Sequence, residues 1–383
     1  MFVIFILNPF PITHHDKIPD VHFNNVIKIS QPDGKPNAKL TALYNLLSHE
    51  IPALTVSSEN NMSPLLKAAL VGIGQRGLEH VESLSQLQAE EELQLVALVD
   101  PFEDNLTPEK IQTHAPSYVQ GSTQLFCSVD QMIDSVKPDA IWFAIPPNQH
   151  NGEIERCATI GIAIFAEKPQ ALFYDEAVAM ARAINNSGVP SIVGFQMRYE
   201  PWYIALREHL IGQHVASILM VDVGAVEGHG TKHSHTEKQG GPANRIWTAD
   251  RKWSGSSIVE AGIHQTDLMR YWTRAEVDWV QANYVPRPPE LHLIHGNNPV
   301  AYTVVYGFTN GTIGNLIFTK PARSYVAEKY DYIITAESHI KFEEDLVVYH
   351  YDGSDYLPSK LPCRDKVRKV IAQGPSPNAM GQQ

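Results

Sequence analysis

The stretch Ala68-Ala69-Leu70-Val71-Gly72-Ile73-Gly74-Gln75-Arg76-Gly77 constrains the fold more than any other part of the chain. An apolar run as long as a buried parallel strand feeds straight into glycines spaced G-x-G-x-x-G. Downstream, Leu78, Val81, Leu84 and Leu87 recur at near-helical spacing, so strand, turn and helix follow in order. Each glycine answers a separate demand. Gly72 allows the tight turn, Gly74 a close approach of backbone to a pyrophosphate, and Gly77 close packing of helix on strand. The helix would then turn its positive N-terminal end to the anion. A second apolar run, Leu93 to Val99, ends in Asp100, where an acid can accept ribose hydroxyls. Glycines alone would suit a loop of another α/β domain. With the acid-terminated second strand they predict dinucleotide binding by Gly72, Ile73, Gly74, Gln75, Arg76, Gly77 and Asp100.

With 383 residues the chain has room for two domains. Its net charge of −12 argues against a general nucleic-acid surface, and no apolar stretch approaches the ~20 residues of a membrane span. Cys127, Cys157 and Cys363 have no metal-type spacing. They fit a reducing compartment, the cytoplasm, with Cys127 and Cys157 as packing residues. Residues 1–61 are punctuated by Pro, Asn and Ser and hold no Arg, so neither a signal peptide nor a mitochondrial presequence is expected. The expected organisation is a poorly ordered leader over 1–61 with one short helix from Ala38 to His49, a dinucleotide-binding domain over 62–188, and a second domain over 189–383.

From 65 to about 188 strand and helix alternate. Thr107-Pro108 opens a helix and Ser128 caps another that runs through Val136. The strand Asp139 to Ile145 ends in Pro146-Pro147-Asn148-Gln149-His150, and a helix follows to Thr159, closed by Gly161. The strand Ile162 to Ala166 ends in Glu167-Lys168-Pro169, ahead of a helix over Asp175 to Asn186 and a strand over Val189 to Phe195. This predicts an α/β Rossmann domain, a doubly wound parallel sheet covered on both faces. Ligands of such sheets bind at the carboxyl ends of the strands, where Asp100, Pro146, Pro147, His150, Glu167 and Lys168 fall. After 195 strands follow strands: Ala216–Val226, Val277–Val285, Ala301–Phe308, Thr312–Thr319 and Tyr330–Ala336. Asn310-Gly311 reads as a hairpin turn with positive φ at both residues, and one helix interrupts over Ser257 to Trp272. The second domain is therefore expected to be α+β with a mostly antiparallel sheet.

Gly72-Ile73-Gly74-Gln75-Arg76-Gly77, Asp100, Pro146-Pro147-x-x-His150, Glu167-Lys168-Pro169, Gly194-Phe195-Gln196-x-Arg198-Tyr199 and Glu260-x-Gly262-x-His264-x-x-Asp267 occur in this order. Over roughly 65 to 350 the chain resembles the Gfo/Idh/MocA oxidoreductases, the glucose–fructose oxidoreductase and inositol dehydrogenase relatives. The resemblance implies hydride transfer between a nicotinamide cofactor and a sugar, polyol or related cyclic alcohol. It assigns Lys168, His264 and Glu260 to catalysis. Pro146, Pro147, His150, Glu167 and Lys168 join the glycines and Asp100 on the cofactor side, and Gln196, Arg198 and Asp267 bind substrate. It also implies a homodimer or homotetramer, since related sheets pair face to face. Asp100 favours NAD over NADP, because its carboxylate would repel a 2′-phosphate; the neighbouring Arg76 would soften that preference.

The chemistry needs a base and a positive group near the developing alkoxide. With a reference pKa of ~6.5, His264 suits the base, and Lys168 can stabilise negative charge. Glu260 and His264 are i and i+4, and on one helix face Glu260 could orient the imidazole or bind a second hydroxyl. In general a loop Lys is solvated and a Glu/His i,i+4 pair is an exposed helix pair; the surrounding motifs favour function. Asp267 also suits a brace, and Gln196, Arg198 and Tyr199 also suit the start of the second domain. Trp247 and Trp253 suit sugar stacking or core alike. The loop His229, His233, His235 lacks a nearby Cys or a helical register, so no metal is expected. Two departures from the family stand out. Glu260 replaces the usual Asp, and the chain stops at Gln383 where relatives continue into a C-terminal helix. Two other classes suit the fold: a non-enzymatic nucleotide-sensing transcriptional regulator, which should lack the Lys168/His264 pair, and an NAD-retaining glycosidase.

Overall fold

The structure, a computed structural model, describes residues 65–224, 250–292, 296–320, 328–342, 346–350 and 368–373. The leader over 1–61 with its helix, the His229/His233/His235 loop, Trp247, Cys363 and the expected loss of a C-terminal helix lie outside the described residues. The described residues fall into two compact units, divided between Gly194 and Phe195.

The first unit alternates strands β1 (Leu66–Val71), β2 (Leu93–Val99), β3 (Gln124–Phe126), β4 (Ala140–Phe143), β5 (Ala163–Ala166) and β6 (Ser191–Val193) with helices α1 (Gln75–Ala89), α2 (Pro108–His114), α3 (Val129–Val136), α4 (Glu153–Thr159) and α5 (Tyr174–Ser187). The strands form one parallel sheet in the order β3-β2-β1-β4-β5-β6, the doubly wound arrangement expected. β1 alternates its side chains between two cores. Leu66, Ala68 and Leu70 meet Leu78, Val81 and Leu84 of α1 on one face. Ala69 and Val71 meet Met132 of α3, Ile154 of α4 and Met180 of α5 on the other. Because β6 pairs with β5, this unit runs to Gly194, beyond the expected end at Gly188. Local signals place several ends correctly: Pro108 opens α2, Ser128 Oγ accepts from Gln131 N, and Gly161 and Gly188 take positive φ behind α4 and α5. Cys157 is buried in this core, and burial pushes its thiol up to about 12. Cys127 is exposed rather than packed, because it follows the short edge strand β3.

The second unit carries α6 (Pro201–His209), β7 (Val215–Val223), α7 (Arg251–Ser254), α8 (Ser257–Glu260), α9 (Ile263–Thr273), β8 (Val277–Val285), β9 (Ala301–Phe308), β10 (Ile313–Thr319), β11 (Glu328–Thr335), β12 (Ser338–Phe342), β13 (Leu346–His350) and β14 (Arg368–Ala372). The sheet order is β14-β13-β12-β11-β7-β10-β9-β8, antiparallel except for the parallel pair β7–β10. An aromatic cluster joins α6, α9 and β12: Tyr203 and Trp272 have ring centroids 5.5 Å apart, and Phe342 lies 5.7 Å from Tyr203 and 6.1 Å from Trp272. Trp253 is buried in α7.

Two local expectations are corrected. Among the described residues only Gly311 of the β9–β10 turn has positive φ, 87°. Asn310 instead accepts from Thr312 N through Oδ1 at 3.1 Å, so the connection is the longer type with one left-handed residue. The single helix over 257–272 is also broken. α8 ends at Glu260, and Gly262 N reaches back to Ser257 O at 3.3 Å before α9 begins. Glu260 and His264 therefore lie on separate helices and do not share one helix face.

The turn after β1 explains its glycines. Gly72 has φ 93°, and a Cβ there would stand 2.5 Å from the Ala144 carbonyl oxygen. A Cβ on Gly77 would stand 1.8 Å from the Gly72 carbonyl oxygen. Gly77→Ala is expected to destabilise the protein by at least ~1–3 kcal/mol, the usual cost of overpacking, as read by urea unfolding.

Candidate functional site

In the first unit the expected residues gather at the carboxyl ends of β1, β2, β4 and β5. α1 begins at Gly74 with no side-chain cap and no acid in its first turn, so its N–H groups and positive dipole end suit an anion. An open helix end over a turn in which Gly72 and Gly74 carry no side chain fits the pyrophosphate of a dinucleotide. Asp100 is 4 % exposed. Its Oδ2 accepts from Ile73 N at 2.8 Å, and its Oδ1 from Phe102 N and Asn105 Nδ2 at 2.9 Å each. A carboxylate has about four acceptor positions, so Asp100 first fixes the glycine turn and keeps little capacity for ribose hydroxyls. Arg76 turns toward Glu79 and toward Glu167 after β5, with Nε 3.8 Å from Glu167 Oε1. In the sheet order β4 and β1 stand between β5 and β2, so Arg76 is directed away from the end of β2.

Two more of the expected cofactor residues are occupied by protein partners. His150 Nδ1 lies 2.5 Å from Glu153 Oε1, both side chains almost fully buried. Burial works to raise the Glu153 carboxyl, but the hydrogen bond and charge of His150 hold it below the ordinary range. Glu167 Oε1 lies 2.8 Å from His80 Nε2. Burial again opposes, and the His80 hydrogen bond and the charges of His80 and Arg76 keep the Glu167 carboxyl low. Each acid therefore accepts from a ring N–H. Pro147 is buried in a short turn of helix over Pro147–Gln149, and Pro146 precedes it. Lys168 is half-buried at the end of β5, joined to Pro169 by a cis peptide.

In the second unit His264 sits in the first turn of α9, half-buried, with the Phe195 ring edge-on at 6.3 Å. Gln196 is exposed. Arg198 and Asp267, expected at the substrate, bind each other instead: Nε to Oδ2 at 2.7 Å and NH2 to Oδ1 at 2.5 Å. Asp267 is 3 % exposed. Burial pushes its carboxyl up, while the Arg198 and Arg270 guanidinium groups pull it back. This pair braces α9 against the Gln196–Tyr199 turn. Beside His264, Gln265 Nε2 donates to Asp222 Oδ2 of β7 at 2.7 Å, tying the same helix to the sheet. No sequence motif marks His80, Glu153, Asn105, Asp222 or Gln265. His80 alone had a local cue, a polar residue one helical step from Gly77. Among the described residues no group of three or more His, Cys, Asp or Glu side chains could hold a metal ion, and no helix is long and apolar enough to cross a membrane.

A doubly wound nucleotide-binding unit followed by a mostly antiparallel sheet defines the class, and comparison with known proteins gives the family. The family model described as "Oxidoreductase family, NAD-binding Rossmann fold" matches residues 66–195, and that of the "GFO/IDH/MocA C-terminal domain" matches 222–333. The chain belongs to the Gfo/Idh/MocA family. It is similar to scyllo-inositol 2-dehydrogenase (NAD(+)) of Bacillus subtilis, 23 % identical over 222 residues, 58 % of each chain. It is also similar to inositol 2-dehydrogenase of Rhizobium meliloti, 26 % identical over 210 residues, 54 % of each chain. The match thus spans a little over half the length of these relatives. The solved structure of myo-inositol 2-dehydrogenase from Lactobacillus plantarum shares the fold, with a TM-score of 0.56 at 18 % identity over 81 % of this chain and 83 % of that one.

The Arg198–Asp267 pair yields a stability prediction. Arg198→Ala should cost about 2 kcal/mol in urea unfolding, less than the ~3–5 kcal/mol of a fully buried pair. The discount reflects Arg270, still 3.8 Å from Asp267, and the 35 % exposure of the Arg198 side chain.

Proposed function

We propose that this chain is an NAD-dependent oxidoreductase that moves a hydride between the nicotinamide and a CH–OH carbon of a sugar, polyol or related cyclic alcohol. The observation that carries it is the first unit itself. The uncapped N-terminus of α1 stands over a turn that only glycine can make, and Lys168 stands at the carboxyl end of β5 in the same sheet. The names of the inositol dehydrogenase relatives support the substrate class. The glycine turn and α1 would hold the dinucleotide, with Asp100 at the ribose end, and bound NAD supplies the hydride acceptor. His264 takes the hydroxyl proton, and Lys168 stabilises the charge that develops on the oxygen. Glu260 binds or orients from the end of α8, one methylene longer than the usual Asp. Gln196 stays on the substrate side; Arg198 and Asp267 act as its frame.

We also assign the protein to the cytoplasm and to a homodimer or homotetramer. Support for self-association comes from Trp279, Ile317 and Tyr330, which share one face of the second sheet by register and are exposed; an apolar patch of this kind marks a contact surface.

A panel of sugars and polyols offered with NAD or NADP and read by cofactor absorbance tests the activity. Turnover with NAD and at least a tenfold weaker response with NADP, about 1.4 kcal/mol, are expected. Absence of turnover with every substrate would overturn the reading. Lys168→Ala should lower turnover by about 10²-fold or more, with NAD affinity changing less. Glu260→Asp should redistribute activity across the panel, and Glu260→Gln should lower all of it. An unchanged profile in Glu260→Asp would show that the longer side chain carries no specificity.

A further inference from the structure

We infer that His80, acting through Glu167, is a positioning residue that sets where Lys168 leaves the sheet; this rests on the reading of Lys168 as catalytic. The Glu167 carboxylate is shared between two donors. Oε1 accepts from His80 Nε2 at 2.8 Å, and Oε2 accepts from the backbone N–H of Lys168 at 3.2 Å. One side chain therefore ties the peptide from which Lys168 springs to helix α1, the helix that begins at the glycine turn.

The link is built to hold its shape. Its two side chains are 20 % and 15 % exposed, so the hydrogen bond is partly shielded from water and stronger for it. The His80 ring is met edge-on by Phe165 of β5 with centroids 5.2 Å apart, and Phe165 is stacked on Trp142 of β4 at 6.0 Å. On the far side, Gly194 leaves room for the carboxylate: a Cβ there would come within 3.1 Å of Glu167 Oε2. Arg76 Nε, 3.8 Å from Oε1, also faces the carboxylate, but its side chain is 51 % exposed and shared with Glu79, so it holds less firmly.

A lysine stem has four rotatable carbons. The volume its ammonium samples is set by where the backbone releases it. An error of ~1 Å at a reacting group can cost about 10²-fold in rate. A partly buried acid placed one residue before a working lysine, and clamped from another element, controls that error. A plain brace between α1 and β5 would need neither the bond to Lys168 N nor the space kept open by Gly194.

The test uses the full chain as His80→Ala, His80→Gln and Lys168→Ala beside the unmutated protein. Glutamine places an N–H close to the position of Nε2. Three quantities are read: turnover, NAD affinity by fluorescence titration, and the rate at which an amine-directed reagent labels Lys168. Mass spectrometry maps the labelling, with Lys67 and Lys137 as internal standards. His80→Ala is expected to lower kcat by about 10-fold or more. Its NAD affinity should stay within about 2-fold and its Lys168 labelling shift by about 3-fold or more against the standards. His80→Gln should restore both. Unchanged Lys168 labelling in His80→Ala would overturn the proposal. So would a shift of all three lysines together with a fall in Tm, the mark of a mere brace. If labelling shifts as expected while Lys168→Ala keeps its turnover, the positioning stands and the catalytic reading of Lys168 falls.

Discussion

Helix α1 can approach the turn after β1 only because Gly77 has no side chain to set against the Gly72 carbonyl. Much of the first unit follows from that contact. It fixes the angle at which α1 leaves the sheet, and it leaves the first N–H groups of the helix uncapped above the strand ends. It also turns the face bearing His80 toward β5. Asp100 locks the other side of the turn by accepting from Ile73 N. The glycine pattern and the acid after β2 are thus parts of one mechanical unit. Asp100 serves geometry before it serves a ligand, since a buried carboxylate must satisfy its own lone pairs first.

Much of the fold is legible where the determining signal is local. The apolar runs of β1 and β2, the Thr107-Pro108 start and the Ser128 cap act within a few residues. The bounds of β8 and β9 match their patterns residue for residue. The misses lie where backbone or side-chain geometry, not residue pattern, decides. Residue types around Ala261 do not announce that α8 ends at Glu260, just before Gly262 packs so closely that a Cβ would meet Ile258 Cγ1 at 2.7 Å. Nor does Asn310 disclose that its side chain, rather than its backbone, will close the hairpin. α6 carries no long amphipathic run; its buried Trp202, Tyr203 and Leu206 follow a turn and a proline.

The site divides along the same line. Motif position locates Lys168, His264 and the glycine turn, because those depend on strand and helix ends. It cannot tell a residue that meets a ligand from one that meets a neighbour. Arg198 and Asp267 carry the chemistry of a polar binding site, yet each satisfies the other across a long sequence separation. His150 with Glu153 and His80 with Glu167 repeat that logic at the ends of β4 and β5. In both pairs an acid claims one ring nitrogen, which sets the orientation of the ring. Buried polar groups near a nucleotide turn are thus largely framework.

The parallel pair β7–β10 also bears on how the second unit is made. Leu219 pairs with Asn315 on one side and with Tyr332 on the other, so the strand at the middle of the sheet is completed only by residues made much later. The whole of α7, α8, α9, β8 and β9 lies in the chain between β7 and both of its neighbours. Non-local pairing of this kind carries its chain-closure entropy before its contacts return anything. Assembly of this sheet is then expected to be the slow event of folding. During it, both edges of β7 stand open as templates for the wrong strand, and the second unit is where misfolding and aggregation would begin.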